Sequence, residues 1–180
     1  SAGGETFMVY SLSKDGKISN VYTGNKCASG TGEFFLQQIR RMNLSMDKAI
    51  DVANNEEPHR VTGRCSVFCK SDCTHALNKG IRKGQVTAGL CEMMAKKISE
   101  LLAKIPKTKI MIVGGTAQNE VVMDFLKKEM PNIYIPKEAP YFEALGAALY
   151  AIENKVTFED SGDIFKKGKS SFSFLKPIKK

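Results

Sequence analysis

The sequence predicts an α/β domain in which a mixed β-sheet is covered by helices. Two segments rich in β-forming residues, 6–12 and 18–22, flank a polar stretch that contains Asp15-Gly16, and this arrangement is typical of an antiparallel hairpin. The strand predicted at 109–113 is short and apolar, like the strands that are buried in a parallel sheet. A hairpin followed by alternating helices and strands therefore indicates a sheet with both kinds of pairing.

The other elements are predicted from apolar periodicity and from residues that begin or end helices. In chain order they are a helix at 31–42, a helix at 46–53, a loop at 54–62, a strand or turn at 63–68, a helix at 70–77, a helix at 86–105, a helix from about 118 to 130, a strand at 133–135 and a last helix from 140 to about 152. Ser45 is a typical N-cap, while Pro106 and Pro131 each stop a helix.

Two of the predicted helices have strong apolar faces, which we expect to be buried by packing. The face of the helix at 86–105 consists of Leu90, Met94, Ile98, Leu101 and Ile105. The face of the last helix consists of Tyr141, Leu145, Ala148 and Ile152.

Length and charge restrict the classes of protein to which the chain can belong. Its 180 residues suffice for one domain with a hydrophobic core, predicted at 1–155. The net charge is +8, and six lysines without any acidic residue lie in 166–180, within a predicted extended basic tail at 156–180. No basic stripe with interleaved aromatic residues indicates a nucleic-acid partner. No apolar run approaches the roughly 20 residues of a membrane span and no signal peptide is evident, so a cytoplasmic protein is expected.

The first residues indicate that the sequence belongs to a longer protein. The chain opens at Ser1-Ala2 without Met, and Gly3-Gly4 leads directly into a strand. We therefore expect an upstream half that precedes this domain.

Cys27 is a candidate reactive thiol or metal ligand. It precedes Gly30-Thr31-Gly32 and a predicted helix, and the free N–H groups of a helix start favour a thiolate or another anion. The chain has five cysteines and no secretory signal, which favours free thiols or a metal site over disulfides.

The cysteines allow two metal sites, and their spacing does not decide between them. Cys65, Cys69, Cys73 and His75 are close in sequence, and zinc binds such a set. Alternatively, Cys27 and Cys65 form a pair in which each thiol lies near glycine. A cubane iron–sulfur cluster needs four thiolates, which a two-fold dimer would supply from two such pairs.

Glycine-rich turns predict a nucleotide cleft. Gly3-Gly4-Glu5 begins a strand, and Gly114-Gly115 connects a buried strand to a helix that starts near Gln118-Asn119. Glycine lets a ligand approach the backbone at the carboxyl end of a sheet. Together with Gly30-Thr31-Gly32, the two turns favour a cleft of this kind.

The combination of these motifs resembles the BadF/BadG/BcrA/BcrD ATPase family, which includes activators of 2-hydroxyacyl-CoA dehydratases and ATPase subunits of benzoyl-CoA reductases. The motifs that carry the resemblance are Gly3-Gly4-Glu5, Asn25-Lys26-Cys27-Ala28-Ser29-Gly30-Thr31-Gly32-Glu33-Phe34, Arg64-Cys65-Ser66-Val67-Phe68, Gly114-Gly115-Thr116-Ala117-Gln118-Asn119 and Ala144-Leu145-Gly146-Ala147-Ala148-Leu149. The resemblance implies an actin-like, sugar-kinase-like ATPase fold of the ribonuclease H-like type, of which this chain would be half of a two-lobed ATPase. It also implies a homodimer that shares one 4Fe–4S cluster.

The resemblance assigns roles to individual residues. Cys27 and Cys65 would be cluster ligands, and Glu5 would be a catalytic residue that positions metal or water. Eight residues would bind ATP or ADP with Mg²⁺: Gly3, Gly4, Gly30, Gly32, Gly114, Gly115, Gln118 and Asn119. Cys69, Cys73 and Cys91 match no family ligand position.

The resemblance also implies partners and an activity. ATP hydrolysis would drive low-potential electron transfer from ferredoxin or flavodoxin to an acyl-CoA dehydratase or reductase. Because the first phosphate loop is missing, the chain alone is expected to be inactive as an ATPase. The alternative is half of a sugar- or acid-kinase-like phosphotransferase, with structural or zinc-binding cysteines.

Overall fold

The computed structural model describes residues 1–24, 27, 29–103, 105 and 109–157. Its first elements, β1 (Met8–Leu12) and β2 (Ile18–Thr23), form the predicted antiparallel hairpin, in which Val9 pairs with Tyr22. A β-bulge interrupts the register between Ser11 and Leu12. The hairpin and its turn are therefore confirmed.

Two short helices follow, α1 (Gly32–Arg41) and α2 (Met46–Ala53). The hydroxyl of Thr31 accepts a hydrogen bond from the N–H of Phe34, and the hydroxyl of Ser45 accepts one from the N–H of Lys48. Each hydroxyl satisfies one N–H that the first helical turn leaves without an intrahelical acceptor. The N-cap predicted at Ser45 is confirmed.

The third helix, α3 (Ser66–Asn78), begins earlier than the sequence predicted. The prediction of a strand or turn at 63–68 is wrong for Ser66, Val67 and Phe68, which form the first turn of the helix. Periodicity cannot distinguish a strand from a helix in so short an apolar run. Val67 and Phe68 remain 69% and 65% exposed.

The long helix α4 (Lys83–Leu102) forms the centre of the hydrophobic core and packs against α2. Leu90, Met94, Ile98 and Leu101 of its predicted face are all buried, as expected. On another side of the helix, Gly89 lies against the backbone of His59 so closely that a Cβ would overlap the carbonyl oxygen.

The last part of the chain contains two strands and two helices. β3 (Ile110–Met111) and β4 (Ile133–Tyr134) form a parallel pair, in which Ile110 lies opposite Ile133. The helix α5 (Glu120–Glu129) connects them and packs against α4, and α6 (Phe142–Glu153) follows β4. Short 3₁₀ turns precede α5 and α6.

The two strand pairs contain the predicted parallel and antiparallel pairing, but in the described residues they are separate two-stranded sheets. Ala2 lies between them. It forms an antiparallel bridge with Phe7, and its N–H donates to the carbonyl of Val113 at 2.7 Å. Among the described residues, Ala2 therefore connects the hairpin to the segment that follows β3.

The last helix is exposed, although we expected its apolar face to be buried. None of the residues of α6 is buried, and Leu145, Leu149 and Ile152 are 37%, 51% and 73% exposed. Within the described part of the chain, the two separate strand pairs do not cover the apolar face of α6. No helix in that part is long and apolar enough to cross a bilayer. The predicted tail at 156–180 lies outside the described residues, apart from Val156 and Thr157.

Candidate functional site

Gly3-Gly4-Glu5 forms a tight turn between residues 1–2 and β1. The N–H of Gly3 donates to the carbonyl of Thr6 at 3.1 Å, and the N–H of Met8 donates to the carbonyl of Ser1 at 2.9 Å. Gly4 and Glu5 are exposed, and no atom lies within 4 Å of a Cβ built on Gly4. The tip of the turn is thus accessible to a ligand.

The loop before α1 docks onto this turn. The N–H groups of Gly32 and Glu33 donate to the carbonyls of Gly3 and Gly4 at 3.3 and 2.8 Å. A Cβ on Gly32 would lie 3.2 Å from the Gly3 carbonyl, so glycine permits the close approach. These two N–H groups at the start of α1 are therefore bonded within the protein.

The second glycine pair contacts the same turn. Gly114 has a φ of +96°, and a Cβ there would lie 2.5 Å from the carbonyl oxygen of Ala2. The N–H of Thr116 donates to that oxygen at 3.0 Å. Gly115 is exposed and has open space around it. The fold thus brings together the three glycine turns that the sequence singled out.

The two amide residues predicted for nucleotide binding are placed differently. Gln118 is exposed, whereas Asn119 is 5% exposed. The side-chain oxygen of Asn119 accepts from the N–H of Val122 at 3.1 Å, and its amide nitrogen lies 3.7 Å from the sulfur of Cys91. The structure therefore gives Asn119 a role as the N-cap of α5, which its position before a helix could have indicated.

Cys27 and Cys65 both lie at the start of α3. Cys65 is the N-cap residue of this helix, and its side chain makes no capping hydrogen bond. The Cys27 thiol hydrogen-bonds to Ser66, which follows Cys65 in the chain. It also lies 3.2 Å from the hydroxyl of Ser29. Both thiols are partly exposed. The hydrogen bonds to Ser66 place Cys27 beside the start of α3. Asn25, Lys26 and Ala28 lie outside the described residues.

Hydrogen bonds lower the pKa of Cys27 to about 7, and the largest contribution comes from the Ser29 hydroxyl. When Cys27 is protonated, its thiol donates to that hydroxyl and the hydroxyl donates to the carbonyl of Gly63 at 2.8 Å, which joins the loop of Cys27 to the segment that leads into Cys65. The single hydroxyl hydrogen turns to the sulfur when the thiolate forms. A thiol with a pKa near neutrality is largely available as thiolate for a metal or an electrophile.

Lys97 of α4 supports both loops, and sequence reasoning missed it. Its aliphatic stem lies against Gly30, whose φ is +94°, so closely that a Cβ there would overlap the stem. A Cβ on Gly63 would lie 3.5 Å from Cε of Lys97. Gly30 is buried and serves this packing. No local signal indicates the contact, because only the folded chain places α4 beneath the two loops.

The remaining cysteines are buried. Cys69 and Cys73 hydrogen-bond to each other, which raises the pKa of Cys69 and lowers that of Cys73, and burial raises the pKa of Cys91 to about 12. His75 is exposed. Among the described residues no three His, Cys, Asp or Glu side chains are arranged to hold a metal ion. The zinc site that the sequence left open is therefore not formed by these residues.

A cleft of about 350 Å³ lies between Glu5, at the end of the first glycine turn, and Cys27. Its lining includes Glu5, Cys27, Ser29 and Lys97. A ligand at Glu5 and a group bound to Cys27 would therefore share one cleft.

We expect iodoacetamide to alkylate Cys27 of the metal-free chain with a pH midpoint near 7, because only the thiolate reacts. Ser29→Ala removes the main hydrogen bond to the thiolate and should move the midpoint upward, towards the ordinary thiol value. Peptide mass spectrometry would assign the modified residue. Ser13→Ala, which removes a hydroxyl in the distant hairpin turn, should leave the midpoint unchanged. A pH midpoint near 9 for alkylation of Cys27 in the unsubstituted chain would contradict the lowered pKa assigned to this thiol.

Comparisons with known proteins extend the similarity beyond these motifs. The sequence model of the BadF/BadG/BcrA/BcrD ATPase family matches residues 1–151. The chain is 29% identical over 155 residues to a 2-hydroxyisocaproyl-CoA dehydratase activator of Clostridioides difficile, and this match covers 84% of the chain and 58% of the relative. It is 29% identical over 152 residues to the (R)-2-hydroxyglutaryl-CoA dehydratase activating ATPase of Acidaminococcus fermentans, with 83% and 58% covered.

The fold is similar to that of a solved activator. The structure of the activator of the 2-hydroxyisocaproyl-CoA dehydratase from Clostridium difficile with bound ADPNP superposes with a TM-score of 0.77 at 26% identity, covering 88% of this chain and 63% of that one. The predicted actin-like ATPase class is confirmed by this similarity. The chain spans less than two thirds of the length of the relatives it matches.

Proposed function

Because the chain belongs to the BadF/BadG/BcrA/BcrD ATPase family, we propose that its whole protein is an ATP-dependent activator of an acyl-CoA dehydratase or reductase. The observation that carries this proposal is that the three glycine turns pack on one another, while Glu5 of the first turn and Cys27 line one cleft. The partner would be a 2-hydroxyacyl-CoA dehydratase or a benzoyl-CoA reductase-type enzyme, and the electron donor a ferredoxin or flavodoxin. A cytoplasmic location stays a prediction.

The exposed parts of the glycine turns are the proposed contacts to ATP or ADP. Gly4 and Glu5 would face the phosphates, and Gly115 and Gln118 would lie on the adenosine side. Phosphoryl transfer is catalysed mainly by positioning and by charge stabilisation. The carboxylate of Glu5 would hold Mg²⁺ or orient water there. Gly3, Gly30, Gly32, Gly114 and Asn119 would act indirectly, because their described contacts hold the turns in place.

The donor set of Cys27 and Cys65 fits an iron–sulfur cluster that two chains share. Each chain offers two partly exposed thiols beside one helix start, and the pKa of Cys27 is lowered to about 7. Two subunits together supply the four thiolates that a 4Fe–4S cluster takes. When bound, such a cluster supplies one-electron transfer at low potential. The thiols would hold it, and the positive end of the α3 helix dipole would favour its negative charge.

The cleft offers a physical route by which nucleotide could influence the thiol pair. Glu5 and Cys27 line the same cleft, and Ser29 bonds the Cys27 loop to Gly63. A nucleotide state that shifts the Glu5 turn would also shift the α1 loop bonded to it, and with it Cys27. The two nucleotide states must differ in these contacts if ATP is to bias the protein.

We expect Gly115→Val to weaken ATP binding by the whole protein by on the order of tenfold or more, because the added side chain would occupy the space through which the backbone meets the nucleotide. Folding should be unaffected, since a Cβ at this position meets no atom within 4 Å. Calorimetry with Mg-ATP measures the affinity. Ser13→Ala in the distant hairpin turn is the control and should bind normally. Unchanged affinity in the Gly115 variant would exclude this turn from the site.

A phosphate-release assay beside the same titration tests the expected inactivity of the 180-residue chain. It should bind ATP weakly and release phosphate at a background rate, because it spans only part of its relatives' length. ATP turnover by the 180-residue chain close to that of the whole protein would contradict the expectation that both lobes of the ATPase are needed for hydrolysis.

A further inference from the structure

The ammonium of Lys97 lies where the two cysteine loops come together. Its Cε, the carbon that carries the ammonium, lies 3.2 Å from a Cβ built on Gly30 and 3.5 Å from one built on Gly63. Gly30 follows Cys27 by three positions in one loop. Gly63 precedes Cys65 by two positions in the other. The positive charge, one bond beyond Cε, is therefore close to both segments that carry the thiols.

The stem of Lys97 is held in this place by packing. Gly30 has a φ of +94°, and a Cβ there would overlap Cδ of the lysine. Met93 lies one helical turn before Lys97, and its Cγ is 3.1 Å from a Cβ built on Gly63. The loops and α4 thus order the long side chain, so its charge is fixed in position before a ligand arrives.

The charge of Lys97 is not neutralised within the described residues. The side chain is partly buried, yet in that part of the chain its ammonium forms no ion pair and no hydrogen bond. Glu5 and Glu100 line the same cleft, but both are exposed. A partly buried charge is costly unless an opposite charge or hydrogen-bonding groups compensate for it. The ammonium is therefore available to an anion in the cleft.

The position of Lys97 favours an anion at the thiols over one at the glycine turns. Both glycines that contact its Cε belong to the cysteine loops. By contrast, a Cβ built on Gly4 or Gly115, the exposed parts of the turns, meets no atom within 4 Å. Lys97 and Cys27 also line one cleft.

We propose that the ammonium of Lys97 is the fixed counter-charge for an anionic group that Cys27 and Cys65 hold. In the proposed function, on which this part of the inference rests, that group is the shared iron–sulfur cluster. Lys97 is then a positioning residue for electron transfer. It accepts no electron, but its charge stabilises the reduced form more than the oxidised form, because reduction adds one negative charge. Two subunits contribute two such lysines.

The first test needs no iron. Neutral iodoacetamide and anionic iodoacetate react with the same Cys27 thiolate, so the ratio of their rate constants reports the local charge and not the pKa. In the metal-free whole protein at low salt, Lys97→Met keeps the stem and removes the charge. The ratio of iodoacetate to iodoacetamide should fall by on the order of twofold or more, and high salt should remove the difference. Lys97→Arg should retain the ratio.

Lys96→Met is the matched control, since it removes the same charge from the adjacent residue of α4. Lys96 is exposed and pairs with Glu92 at 2.9 Å, and it does not line the cleft. The rate ratio at Cys27 should be unchanged in this variant. Amide exchange of residues 29–31 and 61–65 should be equal in the unsubstituted protein and in the Lys97→Met variant, which shows that the loops have not moved.

The second test uses the whole protein loaded with iron and sulfide without oxygen. A redox titration followed by visible absorbance should show a lower reduction potential in Lys97→Met. We expect the one-electron equilibrium to shift by on the order of threefold to tenfold, or about 30–60 mV. The iron content should stay full because the lysine is not a ligand. Lys97→Arg and Lys96→Met should keep the potential of the unsubstituted protein.

The outcomes separate this inference from the proposed function. An unchanged rate ratio in Lys97→Met, or full iron with an unchanged potential, would overturn the inference, and so would equal shifts in Lys96→Met. Weaker binding of Mg-ATP by Lys97→Met with an unchanged rate ratio would assign the ammonium to the nucleotide phosphates instead. A lower rate ratio in a protein that takes up no iron would overturn the proposed cluster and would support the counter-charge at Cys27.

Discussion

Replacement of Cys27 or Cys65 by alanine in the anaerobically purified whole protein is expected to remove the iron and its visible absorbance completely. Each change would leave a dimer with two thiolates where a cubane cluster needs four. Iron and sulfide analysis measures the loss, and gel filtration shows whether the dimer persists.

Cys91→Ala is the matched control, and it should retain the full iron content. Cys91 is fully buried, and burial raises its pKa to about 12, so it is a neutral thiol in contact with Asn119 and not a ligand. The change creates a small cavity, which a melting curve would detect separately. Full iron in the Cys27 variant would contradict the ligand assignment, whereas equal loss in all three variants would indicate general instability.

Gly89→Ala is expected to destabilise the 180-residue chain by about 3 kcal/mol or more. A Cβ at this position would overlap the carbonyl oxygen of His59 and lie 2.9 Å from its carbonyl carbon. Neither atom belongs to a flexible side chain, so α4 or the 54–62 segment must move, and the hydrogen bond from the His59 N–H to Gln85 is strained. The melting temperature should fall by roughly 6–12 °C for a chain of this size.

Gly146→Ala is expected to have the opposite effect, a higher melting temperature, in the same experiment. Gly146 also lies inside a helix, but a Cβ there meets no atom within 4 Å. Alanine has the higher helix propensity, so this variant should be more stable by up to about 1 kcal/mol. Two variants of equal stability would mean that α4 does not pack against the 54–62 segment as described.

Much of the fold could be predicted because local signals agreed with one another. The Asp15-Gly16 turn lies between two β-forming runs, Ser45 caps a helix, and the stripe on α4 repeats at helical spacing. These features depend on neighbours in sequence. The start of α3 was mispredicted since a few apolar residues have no measurable period, and the exposed face of α6 was mispredicted since burial depends on what lies opposite.

The candidate site, like the fold, could be predicted from the sequence only in part. By itself the sequence determined which residues have the right chemistry: glycines that allow close approach, Glu5, and the thiols of Cys27 and Cys65. Only the tertiary structure decided that Gly32 and Gly114 pack on the Gly3-Gly4 turn, and that Asn119 caps a helix. It also placed Cys27 at the start of α3, with Lys97 beneath its loop. The reason is physical: residue type sets what a side chain can do, whereas long-range backbone contacts set which residues meet.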